Sequence, residues 1–179
     1  MSDPIVAIIG RPNVGKSSLF NRILRRRHAI VSEMAGTTRD RLMATAEWEG
    51  HRFILLDTGG LESNPEGSIR EKVQEQAEMA MGDADVILLL TDVNEGVTAS
   101  DQLAAERLRR TNKPVVLVVN KVDNESREFA ANEFHRLGMT DTLPVSAYHN
   151  FGVHDLMDRL VSLLPSTIPY EEDWEDNEG

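Results

Sequence analysis

Residues 5–20 read IVAIIGRPNVGKSSLF, and this stretch is the strongest indicator of the fold class. The continuous apolar run at 5–9 predicts a strand that is covered on both faces, as in a parallel sheet. A loop with glycines at Gly10 and Gly15 follows, and the apolar residues after it recur at helical spacing. A strand, a glycine-rich loop and a helix in this order predict an α/β domain with ligand sites at the carboxyl ends of its strands.

Further apolar runs place the other elements of this domain. FILL, VILLL and VVLVV begin at Phe53, Val86 and Val115, TLPV begins at Thr142, and helical patterns cover 17–26, 68–81, 100–110, 125–137 and 153–164. By contrast, RLMATAEW at 41–48 alternates, and a Glu-Gly turn leads it back into FILL. We therefore expect a three-layer fold whose sheet has about six mostly parallel strands and one antiparallel edge hairpin.

Length and composition bound the domain organisation and the compartment. The 179 residues suit one domain, which we place at 1–165. Six of the 30 acidic residues lie in the last ten positions, so 166–179 is expected to be a disordered acidic linker. The chain has no cysteine, no signal pattern and no long apolar run, which favours a cytoplasmic protein without membrane association. A net charge of -11 argues against direct DNA binding.

The loop GRPNVGKSS has the spacing G-x-x-x-x-G-K-[ST]. Its glycines let successive backbone N–H groups face phosphate oxygens at a helix N-terminus, the lysine adds positive charge, and the first serine is a Mg²⁺ ligand. The alternative is a glycine-rich turn followed by an exposed lysine. The residues expected to bind a polyphosphate are Gly10, Arg11, Pro12, Asn13, Val14, Gly15, Lys16, Ser17 and Ser18.

The second motif is DTGGL, directly after FILL. Asp57 is expected to hold Mg²⁺ through a water molecule, because this ion keeps much of its hydration. Gly60 is expected to bring its N–H to the terminal phosphate, with Thr58 and Gly59 in the same loop. Taken alone, Asp57 fits a helix cap or a turn better than a metal site, and the first motif reverses this preference.

The motif NKVD follows the buried run VVLVV and indicates which base is bound. The Asp123 carboxylate can accept hydrogen bonds from N1–H and the exocyclic amine of guanine, whereas adenine has no such donor pair. Asn120 is expected to tie loops together, the stem of Lys121 to cover the base, and the pair Ser146 and Ala147 to present a backbone N–H. These residues favour GTP over ATP, and an ATPase would need another role for the aspartate.

Together these motifs resemble P-loop GTPases of the translation-factor-like branch, and within it the Der (EngA) family of bacterial ribosome-assembly GTPases. The stretches that carry the resemblance are GRPNVGKSSLFNR, GTTRD at 36–40, DTGGL, DADVILLLTDVNEGVTASD at 83–101 and NKVD. Era and MnmE are similar in PNVGKS but fit the later stretches less well. The resemblance implies a P-loop GTPase fold and Mg²⁺-dependent hydrolysis of GTP to GDP. It also implies that Thr38, rather than Thr37, is a Mg²⁺ ligand.

The resemblance also implies partners. Der-like proteins have two GTPase domains joined by an acidic linker and followed by a KH-like domain, so this chain resembles the first domain and the start of the linker. The implied role is a nucleotide switch in assembly of the large ribosomal subunit. The basic run at 25–28 is interpreted as complementing a helix dipole, with RNA contact as the alternative.

Leu61 raises a question about catalysis. Many GTPases place a glutamine here to orient the attacking water, and leucine has no group for that task. Related GTPases with a hydrophobic residue here also have asparagine at the position of Asn13, where it binds K⁺. The resemblance thus implies K⁺ as a cofactor and Asn13, Lys16, Thr38 and Gly60 as catalytic residues. Two alternatives stay open: a turn role for Asn13, and a GTP-operated binding module with negligible turnover when isolated.

Overall fold

The computed structural model describes residues 3–24, 42–58 and 68–165. The predictions for Thr38, Gly59, Gly60, Leu61, the basic run at 25–28 and the segment 166–179 lie outside these residues. The helices and strands are β1 (Ile5–Gly10), α1 (Lys16–Leu24), β2 (Leu42–Trp48), β3 (His51–Asp57), α2 (Ile69–Asp83), β4 (Val86–Asp92), α3 (Ala99–Leu108), β5 (Val115–Asn120), α4 (Glu125–Ala131), a 3-10 helix (Asn132–Leu137), β6 (Asp141–Pro144) and α5 (Val153–Leu163).

Within the described residues, six strands form one sheet in the order β2-β3-β1-β4-β5-β6. Only β2 and β3 pair antiparallel, with Trp48 opposite His51, which confirms the predicted edge hairpin. The register of the central strand β1 sets Ile8 opposite Asp57 of β3 and Leu88 of β4. The carboxyl ends of β3 and β4 therefore flank the loop that follows β1.

Helices cover both faces of the sheet, which confirms the three-layer prediction. Val6 and Ile8 belong to an apolar cluster with residues of α1 and α5, whereas Ala7 and Ile9 belong to a cluster with residues of α2 and α3. Continuous apolar runs are thus the mark of strands that are buried on both faces. None of the helices within 3–24, 42–58 and 68–165 has the length and hydropathy that spanning a bilayer requires.

The single helix predicted over 125–137 is observed as two pieces. The α-helical part ends at Ala131, and a 3-10 helix continues to Leu137. Side chains three residues apart lie above one another in a 3-10 helix, so this tighter winding turns both Phe134 and Leu137 into the core. Phe134 is 0% exposed, while Phe129 in the preceding helix is 80% exposed. Periodicity alone could not separate the two helix types.

The sixth strand forms one edge of the sheet and differs slightly from its predicted bounds. TLPV was expected at 142–145, and the strand covers Asp141–Pro144. Proline has no N–H for a ladder, so its place in a strand is on an edge. Pro144 is paired with Val119 of β5 on its inner side.

At the other edge, a polar contact fastens the hairpin to α5. Trp48 Nε1 donates to Asp158 Oδ1 at 2.9 Å, and its ring meets the His154 ring edge-on at 5.1 Å between centroids. The turn residue Glu49 joins them, and ligand-type atoms of Glu49, His154 and Asp158 all lie within 4.8 Å of one another. No spacing of histidines in the sequence indicated this group, because the hairpin and α5 are distant along the chain. The contact positions the hairpin against the helix.

The close backbone approach at Gly152 gives a test of the fold. Gly152 has φ +73, and a Cβ there would lie 2.5 Å from the carbonyl oxygen of Pro144. We expect Gly152→Ala to lower the free energy of unfolding by about 3 kcal/mol or more, because left-handed strain of about 1–2 kcal/mol adds to a backbone clash. Urea unfolding followed by circular dichroism measures the loss.

Gly50→Ala is the matched control for this substitution. Gly50 has φ +83, but a Cβ there would meet no heavy atom of the described chain within 4 Å. The Gly50→Ala variant should therefore lose only the stability that left-handed strain costs, about 1–2 kcal/mol. Equal losses in the two variants would contradict the steric argument.

Candidate functional site

The candidate site lies at the side of the sheet where the parallel strands have their carboxyl ends, which we call the carboxyl edge. It surrounds the phosphate loop, which we define as residues 10–18. Gly10 and Gly15 have φ of +153 and +105, which favour glycine. A Cβ on Gly10 would lie 2.7 Å from the carbonyl oxygen of Leu90, and one on Gly15 would lie 2.2 Å from Asn120 Nδ2. Both motif glycines are therefore required by close approach of other groups.

Lys16 is folded back onto the phosphate loop. It is the first residue of α1 and is only 4% exposed. Its Nζ donates to the carbonyl oxygens of Gly10 and Arg11 at 2.9 and 2.8 Å. A buried ammonium at a helix N-terminus makes this point attractive to anions. Ser17 and Ser18 follow in the first turn of α1, and both are exposed.

Asp57 and Thr58 lie beside the phosphate loop at the end of β3. Asp57 is 2% exposed and is in register with Ile8 of β1. Thr58 is fully buried, and its Oγ1 donates to the carbonyl oxygen of Ile8 at 2.9 Å. The end of β3 is thereby held against β1, and the Asp57 carboxylate lies at the same sheet edge as Lys16 and Ser17.

Asn120 joins three parts of the site. Its Nδ2 donates to the carbonyl oxygen of Val14 at 2.8 Å, and its Oδ1 accepts from the N–H of Ala147 at 3.1 Å. The side chain is buried at the end of β5. It therefore links the phosphate loop to the loop that follows β6, which is the tie between loops that the sequence led us to expect.

The Asp123 carboxylate is oriented by a hydroxyl group. Ser146 Oγ donates to Asp123 Oδ1 at 2.7 Å and accepts from the N–H of His149 at 3.2 Å. The backbone of Ser146 is held in turn by two hydrogen bonds with Phe151, at 2.8 and 3.0 Å. A fixed carboxylate is what selective recognition of a donor pair requires. Sequence reasoning missed this role of the serine side chain.

The pair Ser146 and Ala147 differs from expectation in its backbone. Both N–H groups already donate within the protein: that of Ser146 to Phe151 and that of Ala147 to Asn120 Oδ1. A carbonyl oxygen on a base would therefore share the Ala147 N–H with Asn120. The N–H groups that the motif was expected to offer to a base are therefore the same N–H groups that shape this loop.

Lys121 crosses from β5 to the phosphate loop. Its Nζ donates to the carbonyl oxygen of Asn13 at 2.8 Å and lies 3.0 Å from Asp92 Oδ2. Asp92 is buried at the end of β4. The ammonium end of this lysine is thus fixed by two partners, and the lysine lies two positions before Asp123. The signal for Asp92 in the sequence is its position as the first acid after VILLL.

The Arg11 side chain does not face the phosphate side of the loop. Its guanidinium pairs with Glu95, and its Nε lies 3.5 Å from Asp101 Oδ1 without a hydrogen-bond partner among the described residues. Burial raises the pKa of the Asp101 carboxyl, although the Thr98 backbone N–H and the Arg11 charge oppose the shift. Arg11 can therefore serve a phosphate only through its backbone. The T-x-x-D capping pattern at 98–101 was the available signal for Asp101.

Asn13 has a left-handed backbone with φ 69, and it is exposed. Asparagine tolerates this conformation better than most residues, so the turn role that the sequence left open has a direct physical basis. Its carbonyl oxygen is engaged by Lys121. The side chain is left on the solvent side of the loop.

Comparisons with known proteins agree with this geometry. The family model for 50S ribosome-binding GTPases matches residues 5–121. GTPase Der of Moorella thermoacetica is 51% identical over 172 residues, which are 96% of this chain and 39% of that protein. GTPase Der of Symbiobacterium thermophilum is 53% identical over 163 residues, or 90% of this chain and 35% of that protein. The chain thus spans less than two fifths of the length of these curated relatives.

Solved structures share the fold. Era in complex with MgGDPNP and a segment of 16S ribosomal RNA has a TM-score of 0.71 and 31% identity, covering 94% of this chain and 59% of that chain. The G domain of the T. maritima FeoB iron transporter has a TM-score of 0.64 and 26% identity, covering 90% and 99%. The named relatives confirm the resemblance to Der proteins that the motifs suggested. With the phosphate loop, the strand order and the family match all in agreement, the chain belongs to the family of 50S ribosome-binding GTPases.

Proposed function

We propose that this domain binds GTP with Mg²⁺, hydrolyses it to GDP and acts as a nucleotide switch in assembly of the large ribosomal subunit. The observation that carries the proposal is the joint placement of Lys16, Asp57 and Asp123 along one sheet edge, with Asn120 hydrogen-bonded between the phosphate loop and the loop after β6. The phosphates would lie at Lys16 and Asp57, and the guanine would lie at Asp123. The family description and the relatives named GTPase Der support the ribosomal part.

The described residues fit Mg²⁺. The exposed Ser17 hydroxyl and the buried Asp57 carboxylate are hard oxygen donors, which this ion prefers. Thr38 is the proposed further ligand, by resemblance. When bound, Mg²⁺ would neutralise charge on the phosphate oxygens. Lys16 would exchange its two backbone acceptors for phosphate oxygens, and the Gly60 N–H would meet the terminal phosphate.

A second cofactor, K⁺, is proposed for catalysis. Leu61 has no polar group to orient the attacking water, so another group must assist the reaction. A K⁺ ion would supply the positive charge that an arginine finger supplies in other GTPases, worth about 10³–10⁵ in rate. The Asn13 side chain, exposed on the phosphate loop, is the proposed ligand. The left-handed backbone at Asn13 also favours asparagine by itself, so a test must separate side chain from backbone.

The partial coverage of the relatives supports a proposal about the partners of the whole protein. We propose that residues 1–165 form the first GTPase domain, that 166–179 begin an acidic linker, and that a second GTPase domain and a KH-like domain follow in the full-length protein. The proposed partner is the large ribosomal subunit, in the cytoplasm. Neither membrane nor DNA binding is part of this proposal.

Guanine recognition is tested by Asp123→Asn. Asparagine replaces one acceptor with a donor, so we expect binding of fluorescent GTP to weaken by about 10²-fold, since a donor on guanine is left unpaired. Affinity for xanthosine triphosphate should rise, because xanthine has a carbonyl where guanine has the amine. Ser146→Ala should weaken GTP binding by about tenfold through the lost 2.7 Å hydrogen bond to the carboxylate.

Asp155→Asn, in the exposed first turn of α5, is the charge-matched control and should bind GTP as the parent chain does. Fluorescence titration with each nucleotide measures all three variants. Unchanged GTP affinity in Asp123→Asn would refute the assignment of the base site.

The potassium proposal is tested by steady-state GTP hydrolysis with Mg²⁺, in KCl and in NaCl at equal ionic strength. We expect K⁺ to stimulate the parent chain by about tenfold or more, and both Asn13→Ala and Asn13→Gly to lose the stimulation. Glycine keeps the left-handed backbone that asparagine adopts with φ 69, so it removes the side chain without strain.

Stimulation retained in Asn13→Gly would assign the asparagine to backbone geometry alone. Equal and very low rates of the parent chain in both salts would instead favour the binding module with negligible turnover. Nucleotide affinity, measured in the same salts, separates a loss of turnover from a loss of binding.

A further inference from the structure

Gln76 is a polar side chain on the buried face of α2. It is 0% exposed, as are Ala77 and Ala80 on the same face. Its Oε1 accepts from the backbone N–H of Gly10 at 2.9 Å, across 66 positions of the chain. Its Nε2 is buried without a hydrogen-bond partner among the described residues. A buried amide with an unpaired donor is costly, so an apolar residue would suit this face better unless the acceptor oxygen is needed.

The oxygen lies where the ladder between β1 and β3 stops. Ile8 is opposite Asp57, and the carbonyl oxygen of Ile8 accepts from the N–H of Thr58 at 3.4 Å, a long bond at the end of the pairing. Donors that face one neighbour recur at every second residue of a strand. The next β1 donor on this side is therefore the Gly10 N–H, and a continued ladder would pair it with the Thr58 carbonyl. Gln76 Oε1 occupies that place instead.

We propose that Gln76 is a positioning residue for nucleotide binding, because it takes the Gly10 N–H and so ends the pairing of β1 with β3 at Thr58. This inference rests on the proposed function. This hydrogen bond fixes the start of the phosphate loop beside Asp57, where Mg²⁺ and the terminal phosphate would lie. Without the oxygen the Gly10 N–H loses its acceptor, and the start of the phosphate loop is no longer held in place beside Asp57.

One residue, Gly10, links Gln76 to the lysine of the site. The Gly10 N–H donates to Gln76 Oε1, and the Gly10 carbonyl oxygen accepts from Lys16 Nζ, at 2.9 Å each. The position of α2 is therefore coupled to that of the phosphate loop through Gly10. A triphosphate would contact both Lys16 and the Mg²⁺ ligands, whereas a diphosphate lacks the terminal phosphate that would lie between them. The preference for triphosphate over diphosphate is thus the property that Gln76 should control.

Two readouts on three variants test the proposal. Gln76→Met has no acceptor, Gln76→Glu keeps an acceptor oxygen, and Gln74→Met, half-buried on the same helix, is the control. Amide hydrogen exchange by NMR should show loss of protection at Gly10, by about tenfold or more, in Gln76→Met only. Titration with a non-hydrolysable GTP analogue and with GDP, both with Mg²⁺, should show the ratio of their affinities falling by about tenfold in the same variant.

The outcomes are distinct. Full Gly10 protection in Gln76→Met would overturn the proposal, as would an unchanged affinity ratio in a folded Gln76→Met that has lost this protection. If the parent chain binds neither nucleotide, the proposed function fails, while the Gly10 exchange still reports on the hydrogen bond. If Gln76→Met does not fold, Gln76→Asn, whose shorter amide does not reach Gly10, is measured in the same two ways with the same expected results.

Discussion

The two hydrogen bonds of the Asn120 side chain are the constraint on which the rest of the site depends. One reaches the carbonyl oxygen of Val14 and the other the N–H of Ala147, so one amide sets the distance between the phosphate loop and the loop after β6. The same amide explains a motif glycine, because a Cβ on Gly15 would lie 2.2 Å from Asn120 Nδ2. Residues that sequence motifs treat as separate signatures are therefore one packed unit.

The fold was predictable from the sequence because its signals are local. Runs buried on both faces and an alternating hairpin identify the sheet, and the glycine-rich loop identifies the ligand edge. The break between α4 and the 3-10 helix was not predictable, because it depends on how Phe134 meets the core. The nucleotide motifs were found by spacing, whereas Gln76 and Asp92 were missed because their partners are far away in sequence. A polar residue on an otherwise apolar helix face was the one local sign of Gln76.

The cations that the structure describes beside the phosphate loop are engaged inside the protein. Lys16 binds two backbone carbonyls, Lys121 pairs with Asp92, and Arg11 pairs with Glu95 and Asp101. In a chain of net charge -11, long-range attraction of a polyphosphate is weak. Recognition of a polyphosphate would therefore depend on short-range donors, namely backbone N–H groups at the start of α1 and the Lys16 ammonium.

The proline that ends β6 also bears on how the domain coexists with other copies of itself. An open sheet edge is a template on which another chain can add a strand, and this is a common route to aggregation. β6 is only four residues long and closes with Pro144, which offers no N–H to an incoming strand. This edge is therefore a poor template for strand addition, and the domain has a built-in defence against aggregation through it.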